Sequence, residues 1–207
     1  RPEVRRVVKS EGQVAAAVGG LWGEAVGGAV VTRYGYACES RKVNVLEAAH
    51  PVPDAAGLAA SEALFQQVQG LNADDLVVAL VCGGGSALLA APAEGLSFAD
   101  EVALNEALLA SGAPIGAMNA VRKQVSGIKG GRLAAACAPA RVVSLVVSAV
   151  PGDDHPQVAS GPPVPDPVGR GLDVPAVAEY GLARPHPIAA PFAQRPRHAP
   201  PATHTLH

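Results

Sequence analysis

Asp75-Leu-Val-Val-Ala-Leu-Val-Cys82, followed at once by Gly83-Gly84-Gly85-Ser86-Ala87-Leu88, is the stretch on which the fold turns. After Asp75 the run is apolar at every position rather than at alternate ones. A strand with one wet face alternates; a strand covered on both faces does not, and such strands lie inside parallel sheets. The three glycines that end the run can adopt φ > 0 and turn successive N–H groups toward one point, an anion nest. A helix start after the turn would add its dipole, and Ser86 a hydroxyl donor. Phosphate or carboxylate would suit such a cradle. No lysine follows at the spacing of a Walker A loop. A tight turn that needs small residues is the alternative reading.

Working outward, Val4–Val8, Ala29–Arg33, Val43–Ala48 and Arg141–Val147 read as further strands. Between them lie expected helices at Gln13–Val26, Ala55–Gln69 (capped by Asp54, ended by Gly70), Phe98–Ala110 (capped by Ser97), Pro114–Lys129 and Arg132–Cys137. Strands alternating with helices predict a parallel α/β fold with right-handed crossovers. Ligands of such folds sit outside the carboxyl ends of the strands, so the loops after Val8, Arg33, Ala48, Cys82 and Val147 are the places to search.

Composition sets the outer limits. The chain has 207 residues, 49% of them hydrophobic and 16% charged, which excludes disorder over its whole length. No apolar run reaches the roughly 18–20 residues of a membrane span. A formal net charge of −2 and a pI near 6.3 give no footprint for nucleic acid. Three cysteines without C-x-x-C spacing argue against a disulfide framework and fit a reducing cytoplasm. The start at Arg1, without Met, reads as that of a fragment. Residues 184–207 are dense in Pro, His and Arg, show no period, and are expected to be disordered.

Further chemistry clusters around the expected strand ends. Asn119, Arg122, Lys123, Ser126 and Lys129 fall at i, i+3, i+4, i+7 and i+10. On one helix they form a single cationic face, able to hold a carboxylate or neutralise a phosphoryl group. A solvated helix face is the competing explanation. Asp153 and Asp154 follow the last strand, where carboxylates can hold Mg²⁺, although an exposed turn explains them as well. His50 follows the third strand in His50-Pro51-Val52-Pro53-Asp54, as a ligand contact or as a structural loop histidine. No G-x-S-x-G elbow surrounds Ser86, and no G-x-G-x-x-G follows the first strand, where Lys9-Ser10-Glu11-Gly12 stands instead.

Taken together, HPVPDAAG (50–57), CGGGSALL (82–89), MNAVRKQVSGIKGGRLA (118–134) and VPGDD…ASGP (150–162) resemble the class II glycerate kinases. These are glycerate 2-kinases with a C-terminal MOFRL domain, whose relatives often carry hydroxypyruvate reductase names. The resemblance spans roughly residues 1–180. It implies a Rossmann-like, mostly parallel sheet with helices on both faces. It also implies transfer of phosphate from ATP to D-glycerate, assisted by Mg²⁺, to give 2-phosphoglycerate. On that basis Gly83, Gly84, Gly85, Ser86 and Asn119 would bind nucleotide phosphate. Arg122 and Lys123 would stabilise charge, His50 and Lys129 would contact substrate, and Asp153 would face the metal. Hydroxypyruvate reduction and nucleotide binding without catalysis are the alternatives.

Departures accompany the resemblance. The family's Gly-x-Gly-Lys-Ala segment is replaced by Lys9-Ser10-Glu11-Gly12-Gln13. Cys82, Ala149 and Pro163 stand where Ser, Asp and Thr are usual. A Pro/His/Arg-rich tail over 181–207 takes the place of the second domain, so the chain is expected to be impaired or inactive alone.

Overall fold

Strand β4, Asp75–Val81, occupies the interior position that its unbroken apolar run requires. In this computed structural model, which describes residues 3–9, 27–40, 42–148, 154–164 and 204–206, it lies between β1 (Glu3–Lys9) and β5 (Arg141–Val146). Strand β2 (Gly27–Arg33) pairs with the other side of β1, and β3 (Val43–Ala48) with β2. All described strand pairings within the sheet are parallel, and with β6 (His204–Leu206) beside β5 the strand order is β3-β2-β1-β4-β5-β6. The chain steps from β1 outward to β3, then returns to start again at β4. In an open parallel sheet a crevice forms at that reversal, beyond the carboxyl ends of the two strands concerned. The glycine turn after β4 stands at this crevice. The loop after β1 and the helix expected over 13–26 lie outside the described residues.

Both faces of β4 are buried. Val77 and Ala79 join Ala29 and Val31 of β2 and Val142 of β5 on one face. They are covered by Ala60 and Leu64 of α1 (Ala55–Gln67) and by Leu133 and Ala134 of α5 (Arg132–Ala136). Each fully buried leucine or valine contributes about 1.5–3 kcal/mol relative to exposure. Val30, Val78 and Leu80 form a second cluster on the opposite face. Among the described residues that cluster contains strand side chains alone, so the helical cover described here lies on one face. Helices α3 (Phe98–Ala110) and α4 (Ile115–Gln124) build a separate small core from Leu104, Leu108 and Val121, joined by Val125 just past the end of α4.

Local signals fix most element starts. Asp54 accepts from the N–H of Gly57, and Ser97 forms a reciprocal capping box with Asp100. Gly57 also lets α1 approach the segment after β4: a Cβ there would lie 3.1 Å from the Leu88 carbonyl oxygen.

Two expectations need correction. The helix expected over Pro114–Lys129 stops at Gln124. Backbone groups beyond it are taken by residues 91–93: Gly127 N–H donates to the Ala91 carbonyl (2.6 Å) and Ala93 N–H to the Val125 carbonyl (2.9 Å). Ser126 bridges antiparallel to Pro92. Pairing of both N–H and C=O groups with a distant segment outcompetes another helical turn. The tail, expected to be disordered, places His204–Leu206 as strand β6 beside β5. Its backbone groups gain partners from an otherwise open sheet edge. The rest of that tail lies outside the described residues.

Candidate functional site

The turn at the crevice takes the shape that its glycines permit. Gly84 is left-handed (φ 82°, ψ −21°), a conformation that costs other residues roughly 1–2 kcal/mol. A Cβ placed on it would lie 3.7 Å from both Cδ2 and Nε2 of His50, so the imidazole of the β3 loop flanks the turn. Gly83, Gly84 and His50 are exposed, Ser86 is half-buried, and Gly85 is buried. Helix α2 (Gly85–Leu88) has four residues. The expected helix dipole is therefore corrected: aligned peptide units sum over several turns, and one turn gives little field. The N–H groups of the glycine turn remain.

Below the turn runs a chain of hydrogen bonds. Ser86 Oγ lies 2.8 Å from Ser160 Oγ, and Ser160 Oγ donates to Asn119 Oδ1 at 3.1 Å. Asn119 Oδ1 also accepts from Arg122 Nη1 (3.1 Å), and Asn119 Nδ2 donates to the Gln157 carbonyl (3.0 Å). Arg122 Nε donates to Asn105 Oδ1 (2.8 Å), whose Nδ2 donates to the Glu101 carbonyl (2.9 Å). Glu101 Oε1 accepts from Lys129 Nζ at 3.0 Å, and that ammonium also donates to the Leu89 carbonyl at 2.6 Å.

The cationic face is therefore not a solvated one. Arg122, Lys123 and Lys129 are 5%, 3% and 1% exposed. Burial lowers the pKa of Arg122 and of Lys129, and the Glu101 carboxylate opposes the shift in both. The structure joins Asn119 to Arg122 directly, and Ser86 to Asn119 through the Ser160 hydroxyl. Lys129 lies beyond the end of α4, with its ammonium in the core on Glu101 and Leu89. The Lys123 stem lies against Gly130, and its carbonyl accepts from Arg132 Nη1 (2.7 Å). Asp153 lies outside the described residues. Among the described residues no group of three His, Cys, Asp or Glu is placed to hold a metal ion.

Ser160 reaches its place through unusual backbone. Ala159, Ser160 and Gly161 all have positive φ (52°, 61° and 60°). Gly130 N–H donates to the Ser160 carbonyl (3.0 Å) and Gly131 N–H to the Gly161 carbonyl (2.8 Å). Left-handed Ala and Ser cost on the order of 1 kcal/mol or more each, and such strain persists where surrounding contacts enforce it. Here the pair of glycine N–H donors enforces it.

Sequence reasoning passed over Glu101, Asn105 and Tyr34. Glu101 and Asn105 share the i, i+3, i+4, i+7 stripe of Leu104 and Leu108, a spacing that marks polar residues facing a core. Tyr34 is the first residue after β2, and its hydroxyl donates to Asp54 Oδ2 at 2.6 Å. Asp54 also accepts from the N–H groups of Gly57 (3.0 Å) and Ala49 (3.3 Å), tying the loops after β2 and β3 to α1. Partial burial pushes the Asp54 pKa up, but these hydrogen bonds outweigh it and hold the carboxyl below its ordinary value. Asp54→Ala is expected to cost about 1–2 kcal/mol in urea unfolding. A carboxyl with a depressed folded pKa stabilises above its unfolded value, near about 4, and that contribution is lost as pH falls through the folded value. Asp54→Asn should accordingly flatten the acid limb of a melting-temperature profile, while an unchanged limb would place the acid sensitivity elsewhere.

Fold and edge together define an open parallel α/β domain with a glycine turn at its topological crevice. The chain belongs to the family described as "Domain of unknown function (DUF4147)", whose model matches residues 7–191. It is 48% identical over 199 residues to an Agrobacterium vitis protein named "Putative hydroxypyruvate reductase", covering 94% of this chain and 45% of that one. It is 39% identical over 173 residues to the D-glycerate 2-kinase of Thermotoga maritima, covering 83% of this chain and 42% of the relative. The crystal structure of glycerate kinase from Thermotoga maritima superposes with a TM-score of 0.86 at 34% identity, covering 99% of this chain and 51% of that one. The relatives of this chain thus include glycerate kinases, and the chain spans about half the length of those it matches.

Proposed function

We propose that this chain carries the phosphate-binding edge of a glycerate 2-kinase, which transfers phosphate from ATP to D-glycerate to give 2-phosphoglycerate. The observation that carries the reading is the glycine turn at the β1/β4 crevice, backed by the buried chain from Ser86 through Asn119 to Arg122. We read the sheet, on its strand order, as Rossmann-like, and residues 1–180 as the kinase-like domain with 181–207 as a tail.

The groups present fit an anionic phosphate. Gly83 and Gly84 are open to solvent, and a side chain at Gly84 would fill the space beside His50. The N–H groups of Gly83 to Gly85 would hold phosphate oxygens. Asn119, fixed by Arg122, would keep the wall behind them rigid, and Arg122 and Lys123 would supply positive potential from below. His50 would meet substrate at the mouth, and Lys129 would act through the core that supports the wall. ATP would supply the transferable phosphoryl group, and in this reading Asp153 would hold a Mg²⁺ that neutralises its charge when bound. Phosphoryl transfer depends on positioning and charge more than on covalent help from the protein. A cytoplasmic setting with small-molecule partners completes the reading.

Relatives twice as long would bring further groups to the cleft, so turnover by this chain alone is expected to be weak or nil. A coupled ADP-release assay with ATP, Mg²⁺ and D-glycerate tests the reaction on this chain and on a full-length relative. D-Glycerate-dependent ADP release by the relative supports the kinase reading. NADH oxidation with hydroxypyruvate in its place would replace it with a reductase. ATP binding without turnover in either protein would leave a nucleotide-binding module.

A further inference from the structure

The hydrogen bonds beneath the glycine turn have a direction, and that direction decides what Ser86 can bind. Arg122 Nη1, a donor, meets one end of the Asn119 amide, and the Gln157 carbonyl, an acceptor, meets the other. The amide therefore has a single orientation, with Oδ1 toward Arg122. Ser160 Oγ reaches the same Oδ1 and must give it its only proton. Ser160 has then no proton left for Ser86, so in the 2.8 Å contact between the two hydroxyls Ser86 is the donor. The Ser86 proton therefore points toward Ser160, which leaves the lone pairs of this half-buried hydroxyl free to accept.

We propose that Ser86 Oγ accepts a hydrogen bond from a hydroxyl of a small hydroxy acid, rather than donating to a phosphate oxygen as the sequence alone suggested. This rests on the kinase reading for the substrate class and deepens it. Two features favour a hydroxyl over a metal cation. Among the described residues, the charged side chains along this chain of bonds are Arg122, Lys129 and Glu101, two cations to one anion, which repels a second cation. The same charges attract the carboxylate that a hydroxy acid carries. From Ser86 to Arg122 the chain contains two hydroxyls, an amide and a guanidinium, with no group able to take a proton. Ser86 therefore orients the hydroxyl and does not deprotonate it.

Calorimetric titration of this chain with D-glycerate, D-lactate, 3-hydroxypropanoate and propanoate tests the assignment. At least one hydroxy acid is expected to bind about five- to tenfold more tightly than propanoate, the size of one neutral hydrogen bond. Ser86→Ala should erase that advantage. Ser160→Gly suits the left-handed backbone and removes the acceptor of the Ser86 proton. It should let Ser86 donate outward and tighten binding of inorganic phosphate about fivefold. The proposal is overturned if no acid binds, if the acids bind alike, if the ranking survives Ser86→Ala, or if Ser160→Gly leaves phosphate binding unchanged. Saturable binding of Mg²⁺ alone that Ser86→Ala abolishes would also overturn it, in favour of a cation. Failure of the kinase reading looks different: the acids rank by their hydroxyl, yet ATP does not bind.

Discussion

Lys129→Met is expected to lower the free energy of unfolding by about 3–5 kcal/mol, because it strands a buried carboxylate without its cation. Lys129 and Glu101 are 1% and 2% exposed, and their contact is 3.0 Å. Glu101 Oε2 has no hydrogen-bond partner among the described residues, so nothing on that side can compensate for the lost ammonium. The Leu89 carbonyl would also lose its donor. Glu101→Leu should be costly for the mirror reason, leaving the ammonium without its carboxylate. The double variant Lys129→Met/Glu101→Leu should recover most of the loss, since an apolar pair of similar volume is often as stable as a buried ion pair. Guanidinium unfolding followed by circular dichroism gives all four stabilities. If the two single losses add in the double variant, the pair is not coupled and this account of the core is wrong.

Gly161→Ala should be nearly as damaging, at about 2–4 kcal/mol. The residue is left-handed at φ 60°, and its new Cβ would lie 2.8 Å from the Pro156 carbonyl oxygen, a backbone atom with little freedom to yield. The effect should extend past stability. Gly161 N–H bonds to the Val158 carbonyl, and its own carbonyl takes the Gly131 N–H. Moving it displaces Ser160, and with it the link between Ser86 and Asn119. Binding of D-glycerate should therefore fall further than the lost stability explains, when measured at a temperature where the variant is still folded. Full binding in a destabilised variant would uncouple the strained segment from the site.

Which parts of this were legible in the chain follows from the range of the forces involved. Strand β3 (Val43–Ala48) and helix α3 (Phe98–Ala110) match their sequence-based bounds, because alternation, apolar content and the Ser97 cap act within a few residues. The end of α4 did not, because it depends on pairing with residues 91–93, more than a helical turn away in sequence. The glycine turn was readable as a turn, and its crevice followed from strand alternation once the order of the strands was known. The spacing of Arg122, Lys123 and Lys129 was readable as a cationic set. Its burial was not, because Asn105 and Glu101, which receive Arg122 and Lys129, come from another helix. Least legible was the polarity of Ser86, fixed by a hydroxyl 74 residues away whose own proton is claimed by a third residue.

On the proposed kinase reading, the turn after β4 holds the phosphates of ATP. Titration of ATP into the chain, and into Gly84→Val, measures it most directly. Gly84 is left-handed, a conformation that a β-branched residue resists, so Val at this position should swing the N–H groups off their common point. Saturable ATP binding to the unaltered chain, weakened at least about tenfold by Gly84→Val (about 1.4 kcal/mol), is the expected result. ATP that does not bind at all, or that binds both proteins equally well, would contradict the claim.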